Sequence, residues 1–528
     1  MTNDQLQELA PHMIVGLSGP RLSDDEKALL ASLRFSGVIL FERNVRDARQ
    51  LMELTREIRN VFRQSHGYVP LIAADHEGGL ISVLGRAIGV PPTQMAAART
   101  GDAHLCERLF TENARRLRAC GVNMLLGPVA DINSEHRNPV IGTRSFGEDA
   151  EAVSSFVSAA VSAARAGGVL TCIKHFPGHG ASSVDSHLAL PVLSATLDQL
   201  RKKDMLPFAS GLKAGAESVM VGHIAAQGRS LPASLDTEII DGLLRKELGF
   251  EGVVMTDALE MEGVRAAEPR AAGVAGGILA RRDLWQSCGR ALGAGNDILL
   301  FSKPVAEVVS ELRALEGSGA GAVLLDGLSP DLLRASKVRI ERLLEIASRK
   351  DREFELPSDP GVYGEIAERS IGVKEKAEVL PLRGSEGGLR AIFYVEKGEF
   401  ARFPLQSFVM RVLQGSKPFG EGAGDAATGV RFGRHVLFPY DSLPNGATGI
   451  EALASYAGEP DAHFDCIFLM NRRPLSQEAI TEMCSGARAV VVAGWPYAVD
   501  FIARGPHVLI TYGIYDAAAD AVRSRLMA

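Results

Sequence analysis

Leu170-Thr171-Cys172-Ile173-Lys174-His175-Phe176-Pro177-Gly178-His179-Gly180 starts as a short apolar run and ends in a polar, Gly- and Pro-laced tip. An apolar run of this length bounded by turn formers has the pattern of a buried strand. The tip suits a shaped, water-accessible loop far better than a packed core. Asp185, Ser186 and His187 follow closely, so three histidines, a lysine and a carboxylate fall within fourteen positions from Lys174. An imidazole beside a carboxylate is a combination suited to acid/base chemistry.

The same unit recurs on both sides. Apolar runs begin at Ile14, Gly37, Leu71, Val122, Leu170, Ser218, Gly252 and Asp297, eight in all, and helical stretches lie between them. One such stretch, from Ala48 to Arg59, carries Leu51, Leu54 and Ile58 at helical spacing. Strands alternating with helices predict an α/β chain, and eight of them predict a closed (β/α)8 TIM-type barrel. Ionisable residues close the runs: Asp75 after the third, Asp131 after the fourth, Lys174 and His175 on the fifth, His223 on the sixth and Asp257 on the seventh. In a barrel these ends converge on one face, so residues distant in sequence line one pocket. A polar residue at a strand end can also simply cap the next element, and Asp257 before Ala258-Leu259-Glu260-Met261 fits that reading too. Five runs of eight ending this way favour the shared pocket.

After Phe301 the pattern turns helical, with a charged helix near Val338 to Leu344. Charges and prolines from Lys350 to Gly361 then read as a linker. We therefore expect a catalytic barrel with a C-terminal helical stretch over 1–349, a linker over 350–361 and a smaller α/β sandwich domain over 362–528. New apolar runs at Leu389, His435, Cys466, Ala489 and His507 support the last. Gly420-Glu421-Gly422-Ala423-Gly424-Asp425 is not set between a strand and a helix as a dinucleotide loop requires, and reads as a flexible loop.

At 528 residues the chain exceeds a single core, and its 46% hydrophobic and 23% charged residues describe an ordinary globular protein. A net charge of -7 offers no basic face, which argues against nucleic acid as a partner. The N-terminus lacks a basic, apolar leader pattern and no apolar run reaches the ~20 residues of a membrane span. The expected location is cytoplasmic, with no membrane partner. Cys106, Cys120, Cys172, Cys288, Cys466 and Cys484 lack metal-ligand spacing and read as free thiols. His175, His179 and His187 do not have the spacing of a helical or finger zinc site, so neither a metal nor another cofactor is expected.

The motifs together resemble glycoside hydrolase family 3, in its bacterial β-N-acetylglucosaminidase (β-hexosaminidase) branch and two-domain form. The resemblance rests on Asp75-His76-Glu77-Gly78-Gly79, Gly127 to Asn133, Arg137 to Gly147, Lys174 to Gly180 with Asp185-Ser186-His187, and Met255 to Met261. It implies an exo-acting retaining enzyme that removes terminal β-linked N-acetylglucosamine from small carbohydrates, peptidoglycan fragments among them. Asp257 would be the nucleophile; a carboxylate at a strand tip meets what a retaining glycosidase requires. His187 would be the acid/base, with Asp185 fixing its tautomer. Asp75, Arg144, Lys174 and His175 would bind the sugar through directional hydrogen bonds, with Asp131, His223 and Glu77 in contact or in support. Where relatives carry an arginine after the Gly-Gly pair this chain has Val83, and Arg86 is the next cation. That substitution leaves the reaction class standing and the exact sugar open.

Other readings are a β-glycosidase of different specificity, a glycoside phosphorylase, or a non-catalytic sugar-binding or sensor protein on the same scaffold. Keeping Asp257, His187 and Asp185 together argues against the last.

Overall fold

The computed structural model describes residues 2–182, 190–261, 278–314, 328–351, 355–357 and 361–370, and strands and short stretches of the remainder up to residue 527. Asp185 and His187, and the Gly-rich segment 420–425, lie outside the described residues. The eight expected runs form eight strands: β1 (Met13–Gly16), β2 (Gly37–Leu40), β3 (Leu71–Ala74), β4 (Met124–Leu125), β5 (Leu170–Phe176), β6 (Ser218–Val221), β7 (Val253–Ala258) and β8 (Ile298–Pro304). They close in sequence order, β8 pairing parallel with β1 through Met13 opposite Leu299. The fold is the predicted (β/α)8 barrel.

The helices begin and end where side chains satisfy their free backbone groups. In α1 (Ala48–His66), Asp47 accepts from the Gln50 backbone N–H, and Gly67 at φ 78 ends the helix in a conformation costly for other residues. Its buried face carries Leu51, Leu54, Thr55, Ile58 and Phe62, which include the expected stripe. Further elements used below are α2 (Gln94–Arg99), α3 (Ala103–Ala119), α4 (Ala150–Ala166) and α5 (Pro330–Arg349). Thr93, Asp102 and Asp149 cap α2, α3 and α4 in the same way, each cap contributing about 1 kcal/mol.

Two apolar shells result. Ile14, Ile39, Leu71, Ala73, Met124, Leu170, Cys172, Met220, Val253, Met255, Ile298 and Leu300 fill the barrel. Residues of opposite parity, such as Val15, Val38, Ile72, Ile173, Val219 and Val254, face the helices. The charged helix expected after the barrel is α5, and its Ile340, Leu343, Leu344 and Ala347 join the interior cluster at the amino end of the strands. There buried Asp297 accepts from Arg339 at 2.8 and 2.9 Å, from Arg245 at 2.7 Å and from the Val254 N–H at 2.8 Å. One mouth is thus plugged and pinned, which leaves the carboxyl mouth for chemistry. Cys106, Cys120, Cys172 and Cys288 are free and buried.

Asp351, the second residue of the expected linker, is not solvated: Arg59, Arg63 and Arg118 all pair with its carboxylate. Beyond it a seven-stranded sheet runs in the order β9 (Gly372–Val373), β15 (His507–Ile510), β14 (Ala489–Val492), β13 (Cys466–Leu469), β10 (Ala391–Val395), β12 (His435–Pro439) and β11 (Val430–Phe432). The inner strands are parallel and the edge strands β9 and β11 antiparallel. Helix α6 (Gly361–Ser370) packs on α7 (Asp516–Met527) and also on α2 and α3 of the barrel. Arg108–Glu365 at 2.7 Å and Arg369–Asp102 at 2.9 Å flank that contact.

Candidate active site

Strand parity places the first site residues. On β5, Leu170 and Cys172 point into the barrel, so Lys174 is the next inward position. On β3, Leu71 and Ala73 lead in the same way to Asp75, and on β7, Val253 and Met255 lead to Asp257. The three side chains emerge where the apolar filling stops. They replace packing with charge at the open end.

The charges are interlocked. Buried Lys174 reaches Asp75 Oδ1 at 2.6 Å and Glu77 Oε1 at 2.5 Å. Arg144 grips Glu77 with both arms of its guanidinium, at 2.7 and 2.9 Å, and lies 3.3 Å from His175 Nε2. Burial opposes the charge on Glu77, but Arg144 and Lys174 overcome it and hold the carboxyl down at about 2. Lys174 and Arg144 are in turn pushed upward: burial works against their charge, and the facing carboxylates outweigh it. A bidentate arginine fixes direction as well as charge, so this cluster is rigid.

A second set hangs from Asp131, which is wholly buried. Its carboxylate accepts from His175 Nδ1 at 2.6 Å, from the His175 N–H at 3.2 Å and from the His179 N–H at 2.7 Å. With Nδ1–H given to Asp131, His175 presents Nε2 toward Arg144. Burial would raise Asp131, yet His175 and the bonded N–H groups bring it below the ordinary range. His179 is driven down to about 4 by burial and the neighbouring His175, so it is neutral at pH 7. Gly180 lies so close to the β4 loop that an added Cβ would sit 1.7 Å from the Ile132 carbonyl. Only glycine lets the histidine loop rest there.

Asp257 is half-buried, and its Oδ1 accepts from the Ala258 N–H at 2.8 Å. Burial alone would raise it; His175, His223, that N–H and Lys174 hold it ionised below its ordinary value. His223 uses both ring nitrogens, Nδ1 with Ser234 Oγ at 2.8 Å and Nε2 with the Ala258 carbonyl at 3.1 Å, and burial lowers its pKa. It therefore orients the end of β7. Val83 donates its backbone N–H to the Asp75 carbonyl, and Arg86 is solvent-exposed on the short helix Gly85–Ile88.

Asp75, Asp131, Arg144, Lys174, His175, His223 and Asp257 thus meet at one mouth. The structure gives Glu77 more weight than its position in the sequence suggests, because it bonds two cations at once. Asp204, Asn133 and Tyr497 were not legible in the sequence as site residues. Asp204 is buried beside Gly178, with no partner for Oδ1 among the described residues, and burial raises its carboxyl to about 6. Among the described residues no group of three or more His, Cys, Asp or Glu is arranged to hold a metal, and no helix is long and apolar enough to cross a membrane.

A closed parallel barrel with ionised carboxylates and cations converging at its carboxyl mouth defines a barrel enzyme. Residues 1–325 match the glycosyl hydrolase family 3 N terminal domain, and the chain belongs to that family of glycoside hydrolases. It is 36% identical over 265 residues to beta-hexosaminidase A of Pseudoalteromonas piscicida, covering 46% of this chain and 44% of that protein. It is 37% identical over 310 residues to a beta-hexosaminidase of Chromobacterium violaceum, covering 57% of this chain and 82% of that one. The fold is shared with a family 3 beta-N-acetylglucosaminidase from Paenibacillus sp. str. FPU-7, with a TM-score of 0.78 at 24% identity over 99% of this chain and 96% of that one.

Proposed function

We propose that the protein is an exo-acting, retaining β-N-acetylhexosaminidase that removes terminal β-linked N-acetylglucosamine through a covalent glycosyl-enzyme. The observation that carries this reading is Asp257, half-buried at the tip of β7 with its Oδ1 on the Ala258 N–H, at the same mouth as the cluster of Asp75, Lys174 and Arg144. Beta-hexosaminidase is also the activity named for both relatives above. In the proposed reaction Asp257 attacks the anomeric carbon while His187, oriented by Asp185, gives a proton to the departing oxygen. The same imidazole then takes a proton from the water that releases the sugar.

Asp75 accepts from sugar hydroxyls, Lys174, Arg144 and His175 fix the pyranose, and Lys174 also holds Asp75. Asp131 and His223 act through the groups they hold. Cell-wall fragments in the cytoplasm would supply such substrates. The deciding experiment assays 4-nitrophenyl β-N-acetylglucosaminide, β-glucoside and β-xyloside, each with and without inorganic phosphate. Preferential release from the first, unaffected by phosphate, supports the proposal. Preference for another sugar, phosphate-dependent turnover, or binding without turnover would replace it by the corresponding alternative.

A further inference from the structure

Among the described residues, the second half of the chain touches the barrel beside the site around Tyr497 and around Tyr512. Tyr497, just past β14, accepts a hydrogen bond from Asn133 Nδ2 at 2.9 Å and donates one to Glu148 Oε1 at 2.5 Å. The ring of Tyr497 stacks on His136, with centroids 4.0 Å apart and planes 9° from parallel, and His136 Nε2 lies 3.3 Å from Glu148 Oε2. One phenol thus ties together both ends of the segment from Asn133 to Glu148. Asn133 is two residues from Asp131, which holds His175, and the segment contains Arg144, which holds Glu77. Its backbone also meets the histidine loop: the Glu135 N–H donates to the Gly180 carbonyl at 3.1 Å, and Asn138 Nδ2 to the His179 carbonyl at 2.9 Å.

The other contact is built around the turn after β15. Tyr512 adopts a left-handed φ of 53, uncommon outside glycine, and Gly513 lies so close to Thr93 that an added Cβ would be 2.3 Å from its methyl carbon. There the Tyr512 carbonyl accepts from Thr93 Oγ1 at 2.5 Å, and Arg99 lies over the Tyr512 ring at 4.9 Å. Gln94, next to Thr93, bonds both the N–H and the carbonyl of Val129 at 2.8 Å. Val129 in turn bridges to Lys174 in parallel register. A backbone residue held in a disfavoured conformation marks a contact the surrounding structure maintains.

We propose that Tyr497 is a positioning residue: through Asn133, His136 and Glu148 it fixes the segment bearing Arg144, so that the second domain sets sugar affinity without touching the sugar. The phenol is the economical point to remove, because Asn133 is fully buried and its Oδ1 already lacks a partner among the described residues. Without the phenol its Nδ2 loses its bond as well, and a buried amide with no partner drives the segment to rearrange.

This inference rests on the hexosaminidase reading, and the test separates the two. In the full-length chain, Tyr497→Phe keeps the stacked ring and removes both hydrogen bonds. With 4-nitrophenyl β-N-acetylglucosaminide we expect KM to rise three- to tenfold, kcat to stay within twofold and the melting temperature to fall by no more than a few degrees. In an Arg144→Lys background the same change should have no further effect on KM. Unchanged KM, or an equal KM effect in both backgrounds, would overturn the role. If the wild type cleaves no member of the sugar panel, the hexosaminidase reading fails by itself. Hydrogen exchange over residues 131–148 then decides on Tyr497: faster exchange in Tyr497→Phe supports it, and unchanged exchange refutes it.

Discussion

Glu77→Gln removes one negative charge from the centre of the mouth and leaves the shape intact. In the wild type this carboxylate, with a side chain 1% exposed, faces Lys174 at 2.5 Å and both arms of Arg144. Its pKa falls from an ordinary 4.5 to about 2. At about 1.36 kcal/mol per unit, that difference of roughly 2.5 units favours the ionised folded state by about 3 kcal/mol at pH 7. The figure agrees with the roughly 3–5 kcal/mol lost when one member of a buried pair is removed. The sign follows from a folded pKa lying below the unfolded one. The contribution is complete above pH 4.5, shrinks as pH falls through the interval down to 2, and is less than half its full size at pH 3.

The assay is urea unfolding followed by Trp285 fluorescence in a Trp495→Phe background, which leaves one tryptophan, buried in the barrel. We expect Glu77→Gln to unfold about 3 kcal/mol more easily at pH 7, with the deficit falling below half of that at pH 3. KM should rise as well, since Lys174 and Arg144 lose the anchor that aims them. A variant as stable as the wild type at pH 7, or a deficit that does not change with pH, would refute this electrostatic account of the mouth.

Asp257→Ala should abolish turnover, and mass spectrometry after treatment with an activated 2-fluoro sugar should find the adduct on Asp257; label on another acid would remove the assignment. His187→Ala should slow poor leaving groups by about 10²–10⁴-fold but 4-nitrophenolate only mildly, whereas equal losses would make His187 structural. Asp204→Asn probes the opposite sign of linkage. Its raised folded pKa, about 6 against an ordinary 3.8, means the wild type loses stability as pH rises from about 4 to 6 and stays level above. The Asn variant should melt at the wild-type temperature near pH 4 and be more stable above pH 6, by at most about 3 kcal/mol; a pH-independent difference in melting temperature would contradict it.

The barrel was legible because each unit repeats the same local signals: an apolar run, a polar tip, then a stripe such as Leu51, Leu54 and Ile58 on α1. Strand ends made several residues of the mouth legible as well. A strand that carries Leu71 and Ala73 inward must turn Asp75 inward next, and the same spacing applies to Lys174 and Asp257. What stayed hidden depends on distance in the chain. Glu77 reads as part of a short motif, and its partners lie 67 and 97 positions away in Arg144 and Lys174. Asp204 sits on an ordinary helix connection, and its burial beside Gly178 follows from packing alone. Asp351 reads as linker charge, although three arginines from two barrel helices enclose it.

The same contrast explains how the two halves of the chain cooperate. Asp75, Lys174 and Asp257 come from strand ends of the barrel, whose geometry is fixed by hydrogen-bonded register and an interior plugged by α5. The long β4 loop has no such frame. It must carry Asp131 and Arg144 across a gap between strands with little regular structure, and a free loop would blur their positions by more than a directional sugar hydrogen bond tolerates. Bonds from Gln94, from Gly180 and from Tyr497 replace the missing frame, and the last of these comes from outside the barrel. A barrel ending near Pro357 should therefore keep Asp257, His223 and Lys174 in place and lose definition at Arg144. Weak sugar binding with residual turnover is the expected result for that truncated protein. A folded truncation with undiminished sugar affinity would show that the β4 loop holds itself.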